Sequence, residues 1–273
     1  MVRKNVAGAK KSAKVIGFVP TMGALHAGHL ALVARARRDC QFVVASIFVN
    51  PAQFGPHEDL ARYPRRLNID KKLLKAAGVD LLFCPGVTAM YPRDFSTYVE
   101  ELRLSAGLCG AKRPDHFKGV CTVVAKLFNI VLPDIAYFGQ KDYQQVKVIE
   151  RMARDLNFNV LIKTVPTVRE SDGLAKSSRN VYLNFSERNQ ALILNRVMLY
   201  AGSRIEAGET SVQKIITQMT KIIKTVGARV DYIAICDCRN LSPIKKIKGT
   251  VVVLLAVFIG KTRLIDNMIF KAR

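Results

Sequence analysis

The sequence predicts an α/β fold, on two observations. Short, almost wholly apolar runs recur at residues 15–19, 42–49, 79–84, 135–138 and 160–165. Between them lie segments with apolar residues at helical spacing, most clearly Val120, Val123, Val124, Leu127, Phe128 and Val131. Strands buried on both faces and alternating with helices pack as a parallel sheet wrapped by helices. After Arg169 the order changes to helices followed by strands, which suggests a small α+β domain. The expectation is a Rossmann-like, doubly wound parallel sheet over residues 1–168, followed by a smaller C-terminal α+β lid domain over residues 169–273.

In chain order, a first strand over 15–19 leads through a Pro/Gly turn into a helix over about 29–39. The second strand, 42–49, ends at Asn50-Pro51, because proline cannot continue a central ladder. A long polar loop over 53–64 holds Gln53, His57, Glu58 and Asp59; structureless loops of that length are often functional. A short helix over 69–77 and a third strand follow. The amphipathic helix of Val120 to Val131 stops at Pro133. A fourth strand runs straight into Gly139-Gln-Lys-Asp-Tyr-Gln-Gln145 and a helix to about Asp155. Two long helices, over 186–206 and 211–226, precede strands over 230–236 and 250–259.

Composition narrows the class. The chain has 273 residues, and 49% of them are hydrophobic, so a sizeable core is expected. Its longest strongly apolar run, residues 251–259, is far short of the about 20 needed to cross a bilayer. The first fourteen residues carry five basic side chains and no acidic ones, and read as a short basic tail. Six cysteines show no paired metal spacing, and Cys236-Asp-Cys238 is too tight for the usual zinc pair. A reducing cytoplasm is the expected compartment. The net charge of +22 raises nucleic-acid binding. No block of five like charges and no aromatic-basic stacking motif supports it, so anionic small substrates are the expected partners, with no nucleic acid and no membrane.

Ligands of a parallel sheet sit beyond the carboxyl ends of its strands. Polar clusters follow Val19, Val49 and Phe138, and three strand ends presenting polar groups argue for an enzyme. The first cluster carries His26 and His29 at the start of a helix, where free backbone N–H groups and the helix dipole favour an anion. Gly28 lets the backbone approach closely. A later polar loop, Ser171-Asp-Gly-Leu-Ala-Lys-Ser-Ser-Arg-Asn180, offers a lysine, two hydroxyls and an arginine, a set suited to closing over a triphosphate.

The order strand, Pro-Thr-Met-Gly, His-x-Gly-His, helix resembles the HxGH signature of the nucleotidyltransferase superfamily. Six ordered blocks carry a closer resemblance, to the pantoate–β-alanine ligase (pantothenate synthetase) family. They are Pro20-Thr-Met-Gly-Ala-Leu-His-Ala-Gly-His29, Ser46-Ile-Phe-Val-Asn-Pro-Ala-Gln-Phe54, Tyr63-Pro-Arg65, residues 113–119, Phe138-Gly-Gln-Lys-Asp-Tyr-Gln-Gln145 and Ser177-Ser-Arg-Asn180. The match extends to Arg263-Leu-Ile-Asp-Asn267.

The resemblance implies a two-step ligase that uses ATP with Mg2+, forms pantoyl adenylate and pyrophosphate, then transfers the acyl group to β-alanine and releases AMP. It implies that Met22, Gly23, Ala24, Leu25, His26, Ala27, Gly28 and His29 line the ATP site, with His29 as proton donor and His26 as a supporting phosphate contact. Gly139, Gln140, Lys141 and Asp142 would bind the nucleotide, with Lys141 near the phosphates. Val168 would meet adenine through its backbone, and Lys176, Ser177, Ser178 and Arg179 would close over the phosphates. Gln53 and Gln145 would hold pantoate and β-alanine. His29, His26, Lys141 and Arg179 are the expected catalytic residues, no magnesium ligand is assigned, and a homodimer is implied. The chain departs from the family pattern at Gln140, where a glutamate is usual, at Lys176, where an apolar residue is usual, and at the N-terminus, where the basic tail stands in place of a helix. Two other readings stay open here: a different HxGH adenylyltransferase, and a basic nucleic-acid-binding protein on the same scaffold.

Overall fold

The computed structural model describes residues 2–56 and 58–272; His57, one of the polar loop residues above, lies outside them. The chain divides into two compact units, one of residues 1–140 and 145–166, the other of residues 141–144 and 167–273.

The first unit starts with a helix, α1 (Val2–Lys11), where the sequence suggests only a basic tail. The correction has a plain cause. Val6 and Ala9, one turn apart, are its buried residues, and so sparse an apolar stripe is hard to see among lysines. Lys10 and Lys11 occupy the last turn, where cations complement the helix dipole. Asp134 fastens the helix to the sheet: one carboxylate oxygen pairs with Lys10 Nζ at 3.1 Å and the other accepts the Ile16 N–H at 2.7 Å. The N-terminal helix that the family pattern calls for is therefore present.

β1 (Ile16–Thr21), α2 (Ala27–Asp39), β2 (Phe42–Ile47), α3 (Leu67–Ala76) and β3 (Leu81–Phe83) follow in alternation. The short helices α4 (Val87–Met90) and α5 (Cys109–Lys112) lead to α6 (His116–Val131), β4 (Ile135–Gly139), α7 (Tyr143–Asp155) and β5 (Leu161–Val165). The strands form one sheet in the order β3-β2-β1-β4-β5, and every pairing is parallel. β1 pairs with β2 from Ile16↔Phe42 to Thr21↔Ile47 and with β4 at Gly17↔Ile135. The chain thus winds one way from β1 to β3 and the other way through β4, which makes the end of β1 the topological switch. Val19, Val43 and Ala45 on one face pack against Leu32, Val33 and Ala36 of α2 and Leu74 of α3. α6 is longer than its apolar pattern, because His116 and Phe117 in its first turn are buried too.

In the second unit the single long helix expected over 186–206 is two, α8 (Phe185–Ala191) and α9 (Ile193–Glu206). Leu192 ends one and begins the other. α10 (Val212–Lys224), β6 (Arg229–Asp237), β7 (Thr250–Ile259) and β8 (Thr262–Lys271) complete it. The three strands form an antiparallel sheet in sequence order. Val251, Val253, Leu255, Val257 and Ile259 of β7 share a core with Val197, Met198 and Ala201 of α9 and with Ile215, Met219 and Ile223 of α10. β8 is absent from the sequence reading, since Arg263, Asp266 and Asn267 interrupt its apolar alternation.

Candidate active site

Within the first unit, the loop after β1 is held from three directions. Thr21 Oγ1 donates to the Ser46 carbonyl at 2.7 Å and accepts the Gly23 N–H at 3.2 Å. Gly23 turns at φ 78°, and a Cβ there would stand 3.0 Å from Asp70 Oδ2 and 3.1 Å from Ile47, so both the backbone and the space favour glycine. Ala24 follows at φ 51°. Asp70 of α3, only 2% exposed, accepts the N–H groups of Ala24 and Leu25, each at 2.9 Å.

The two histidines cap α2. His26 Nδ1 accepts the Gly28 N–H at 3.1 Å, and His29 Nδ1 accepts the His26 N–H at 3.3 Å. This is a reciprocal capping box with imidazoles in place of the usual hydroxyl and carboxylate. Since each Nδ1 is an acceptor, each neutral ring carries its proton on Nε2. The ring centroids lie 4.1 Å apart. Ala27, Gly28 and His29 form the first turn.

Gln53 ends a short 3-10 turn, Pro51–Gln53, just after β2 and is buried. Its Oε1 accepts from Asn50 Nδ2 at 3.0 Å, and its Nε2 donates to Met22 Sδ at 3.4 Å. Thus the first and second strand ends meet. Asn50, 1% exposed, also donates to the Gly119 carbonyl at 3.1 Å and accepts from Tyr91 Oη at 2.8 Å. Burial pushes the Tyr91 phenol up to about 12, so it stays a donor at neutral pH. α6 starts against the same turn: a Cβ on Gly119 would lie 2.1 Å from the Ala52 carbonyl oxygen.

Arg113 joins the polar loop to this turn. Its guanidinium forms a two-pronged ion pair with Glu58, donates to the Gln53 carbonyl at 3.3 Å and lies 3.0 Å from His116 Nε2. His116 Nδ1 donates to the same Gln53 carbonyl at 2.8 Å, so its Nε2 is the acceptor for Arg113. Gly139 closes β4, and a Cβ there would meet nothing within 4 Å. Gln140 opens a 3-10 turn, and Gln145 lies half-buried in the first turn of α7.

Lys141, Asp142, Val168 and residues 176–179 belong to the second unit. Asn267 Nδ2 donates to the Lys141 carbonyl at 2.9 Å. Lys176 N–H donates to the Val168 carbonyl at 2.9 Å, which brings those two expected site residues together. Lys176 Nζ is paired with Glu170 at 2.6 Å. Ser177 caps the 3-10 turn Ser178–Tyr182 by accepting the Arg179 N–H at 3.3 Å. Among the described residues, no group of three His, Cys, Asp or Glu side chains could hold a metal ion. No helix among them is long and apolar enough to cross a membrane.

In the first unit Asn50, Asp70, Tyr91 and His116, and in the second Asp266 and Asn267, hold the candidate segments by hydrogen bonds, and sequence reasoning does not single them out. Asn50 is marked by its place at a strand end and inside the block of residues 46–54, which gives it no role. Arg113 and His116 lie inside one of the six motif blocks, which gives them no role. Asp70 leaves no local trace, for its partners are 45 and 46 residues away.

A parallel sheet with a His-x-Gly-His helix start at its topological switch fits the class of nucleotide-using enzymes that the HxGH resemblance implies. Comparison with known proteins narrows the class. The pantoate-β-alanine ligase family model matches residues 1–269. Pantothenate synthetase from Fervidobacterium nodosum is 57% identical over 256 residues, covering 94% of this chain and 91% of that one. The crystal structure of pantothenate synthetase from Thermus thermophilus is 50% identical, covers 96% of both chains and superposes with a TM-score of 0.91. That of the Francisella tularensis pantoate-β-alanine ligase, complexed with beta-gamma ATP and β-alanine, is 35% identical with a TM-score of 0.80, covering 97% of this chain and 94% of that one. The chain belongs to the pantoate–β-alanine ligase family, and it is a ligase.

Proposed function

We propose that the chain joins pantoate to β-alanine through pantoyl adenylate. A pantoate carboxylate oxygen bonds to the α-phosphorus of ATP, and the bond to the bridging oxygen breaks, so pyrophosphate leaves with the electron pair. The neutral amine of β-alanine then attacks the acyl carbon. The bond from that carbon to the AMP oxygen breaks, the nitrogen loses a proton, and pantothenate and AMP result.

The observation that carries this reading is the histidine capping box. It fixes both rings with Nε2 as the protonated nitrogen, at a helix start where negative charge is favoured. His29 is assigned the proton donor to the departing phosphate oxygen, with His26 beside it. Charge grows on those oxygens in the transition state, where fixed donors act most strongly. Residues 22–29 then form the wall facing ATP, and Gly139 and Gln140 bind the nucleotide beside the open space above β4.

Gln53 suits the anionic acid. Its oxygen is held by Asn50, and its NH2 group faces a thioether, a weak acceptor that a carboxylate or hydroxyl can readily replace. Gln145 is assigned the same substrate pair. Lys141 and the segment 176–179 take the phosphates, and the Val168 backbone takes adenine, with residues 169–273 acting as the lid domain. Magnesium bound to ATP would screen the triphosphate. Its usual oxygen ligands are phosphates, water and one or two carboxylates, and Asp142, beside Lys141, is the carboxylate that could serve. Six free cysteines suit a reducing cytoplasm, and a homodimer completes the reading.

One assay tests it: ATP is incubated with pantoate, with and without β-alanine, and pyrophosphate and AMP are followed. Pyrophosphate with pantoate, and AMP only when both substrates are present, is expected. Pyrophosphate release that ignores pantoate would count against the assignment.

A further inference from the structure

Two neighbouring residues of β8 hold two different segments of the second unit. Consecutive side chains of a strand point to opposite faces. Asp266 stands opposite Leu255 in the ladder, on the face that packs against α9 and α10; Asn267 stands opposite Leu254, on the other face.

On its face, the buried Asp266 carboxylate takes both terminal nitrogens of Arg169, at 2.8 and 2.9 Å. The same guanidinium donates to the Gly173 carbonyl at 3.0 Å. That bond spans a tight turn closed by Glu170 N–H to the Leu174 carbonyl at 2.8 Å and Gly173 N–H to the Glu170 carbonyl at 3.0 Å. The turn ends at the Arg169–Ala175 bridge, and Lys176 to Arg179 come next. On the opposite face, Asn267 Nδ2 donates to the Lys141 carbonyl at 2.9 Å.

We propose that Asp266-Asn267 is a positioning element for ATP, one residue setting the segment 176–179 and its neighbour setting Lys141. The inference rests on the assignment of those segments to the phosphates. The physical advantage is a fixed offset: alpha carbons of adjacent residues are about 3.8 Å apart whatever the loops do. Two cationic segments that are distant in sequence are thereby referred to one rigid strand, and donors fixed before the reaction stabilise charge best.

The test is a double-mutant cycle. Asn267→Ala is expected to raise the ATP KM about fivefold, the effect of one neutral hydrogen bond, while the pantoate KM moves less than about twofold. In a Lys141→Ala background the same change is expected to add little, since a residue acting through Lys141 has nothing left to position. If Lys141→Ala leaves the ATP KM unchanged, the phosphate assignment fails. If Lys141→Ala raises it and Asn267→Ala does not, or the two effects multiply, the positioning inference fails. Asp266→Asn is expected to raise the ATP KM as well. Because it leaves the partly buried charge of Arg169 without its partner, the folded control is Arg169→Gln combined with Asp266→Asn, which removes both charges. An unchanged ATP KM in that double variant overturns the Asp266 half.

Discussion

The carboxylate of Asp70 holds the backbone of Ala24 at 2.9 Å, and so fixes a left-handed alanine two residues before the first histidine of the cap. Its second oxygen holds Leu25 in the same way. The carboxylate therefore sets the direction in which the chain enters α2. Asp70→Ala leaves two partly buried N–H groups without their acceptor, at about 1 kcal/mol each, so a fall in melting temperature is expected. Asp70→Asn retains one acceptor oxygen. It is expected to fold and to lower kcat/KM for ATP about tenfold by letting the loop shift. Wild-type kinetics in a folded Asp70→Asn would show that the loop keeps its course without that bond.

The histidine pair separates chemistry from capping. His29→Ala removes the assigned donor, and a loss of about 10²–10³ in pyrophosphate release is expected, as for other preorganised donors. The same change opens only one bond of the box, so circular dichroism should report an intact fold. His26→Ala removes the N-cap of α2 and is expected to cost about 1 kcal/mol in urea denaturation. Equal catalytic losses at both positions, matched by equal losses of stability, would point to a purely structural pair.

Much of the fold is legible because the central strands β1, β2 and β4 are buried on both faces, and nearly continuous apolar runs such as residues 42–47 have few other readings. The elements that escape are those whose core face is sparse or polar. α1 offers Val6 and Ala9 alone, and β8 places a carboxylate, Asp266, where an aliphatic side chain would have shown its period. The site follows the same rule. His26, His29 and Gln53 stand on strand ends and are marked by local sequence. Asp70, Tyr91 and Asn267 act through bonds across 41 to 126 residues, and no local pattern encodes a partner so distant.

Acid stability should depend on Asp39. Its Oδ2 accepts from Lys163 at 2.8 Å, Arg35 at 2.9 Å and Tyr137 Oη at 3.1 Å. Led by the Lys163 bond, these hold the carboxyl down to about 2, against 3.8 for the ordinary group. A carboxyl with a depressed folded value stabilises the fold fully above its unfolded value. The contribution is lost as pH falls from about 4 through 2. With the side chain partly in contact with water, about 1–2 kcal/mol is expected. Urea midpoints measured from pH 5 to pH 2 should fall less steeply for Asp39→Asn than for the parent chain. Parallel curves would assign the acid loss to other groups.

Lys176 meets a carboxylate before it can meet a phosphate. Its ammonium lies 2.6 Å from Glu170, with both side chains partly exposed. Such a pair contributes little to stability, about 0–1 kcal/mol, but it sets the charge that arriving ATP encounters. If Lys176 contacts the triphosphate, Glu170 competes with the phosphates for it. Lys176→Met should then weaken ATP binding about three- to tenfold at low salt. Glu170→Gln, which frees the ammonium and removes a negative charge, should tighten it. Both effects should shrink as salt approaches about 1 M, where the screening length falls to about 3 Å. Titration of ATP by calorimetry at low and high salt reads both variants. Tightening by Glu170→Gln that disappears in the Lys176→Met background assigns the contact to Lys176. Weakening by Glu170→Gln would mean that the carboxylate holds the lysine in place, and that the pair serves the loop rather than the nucleotide.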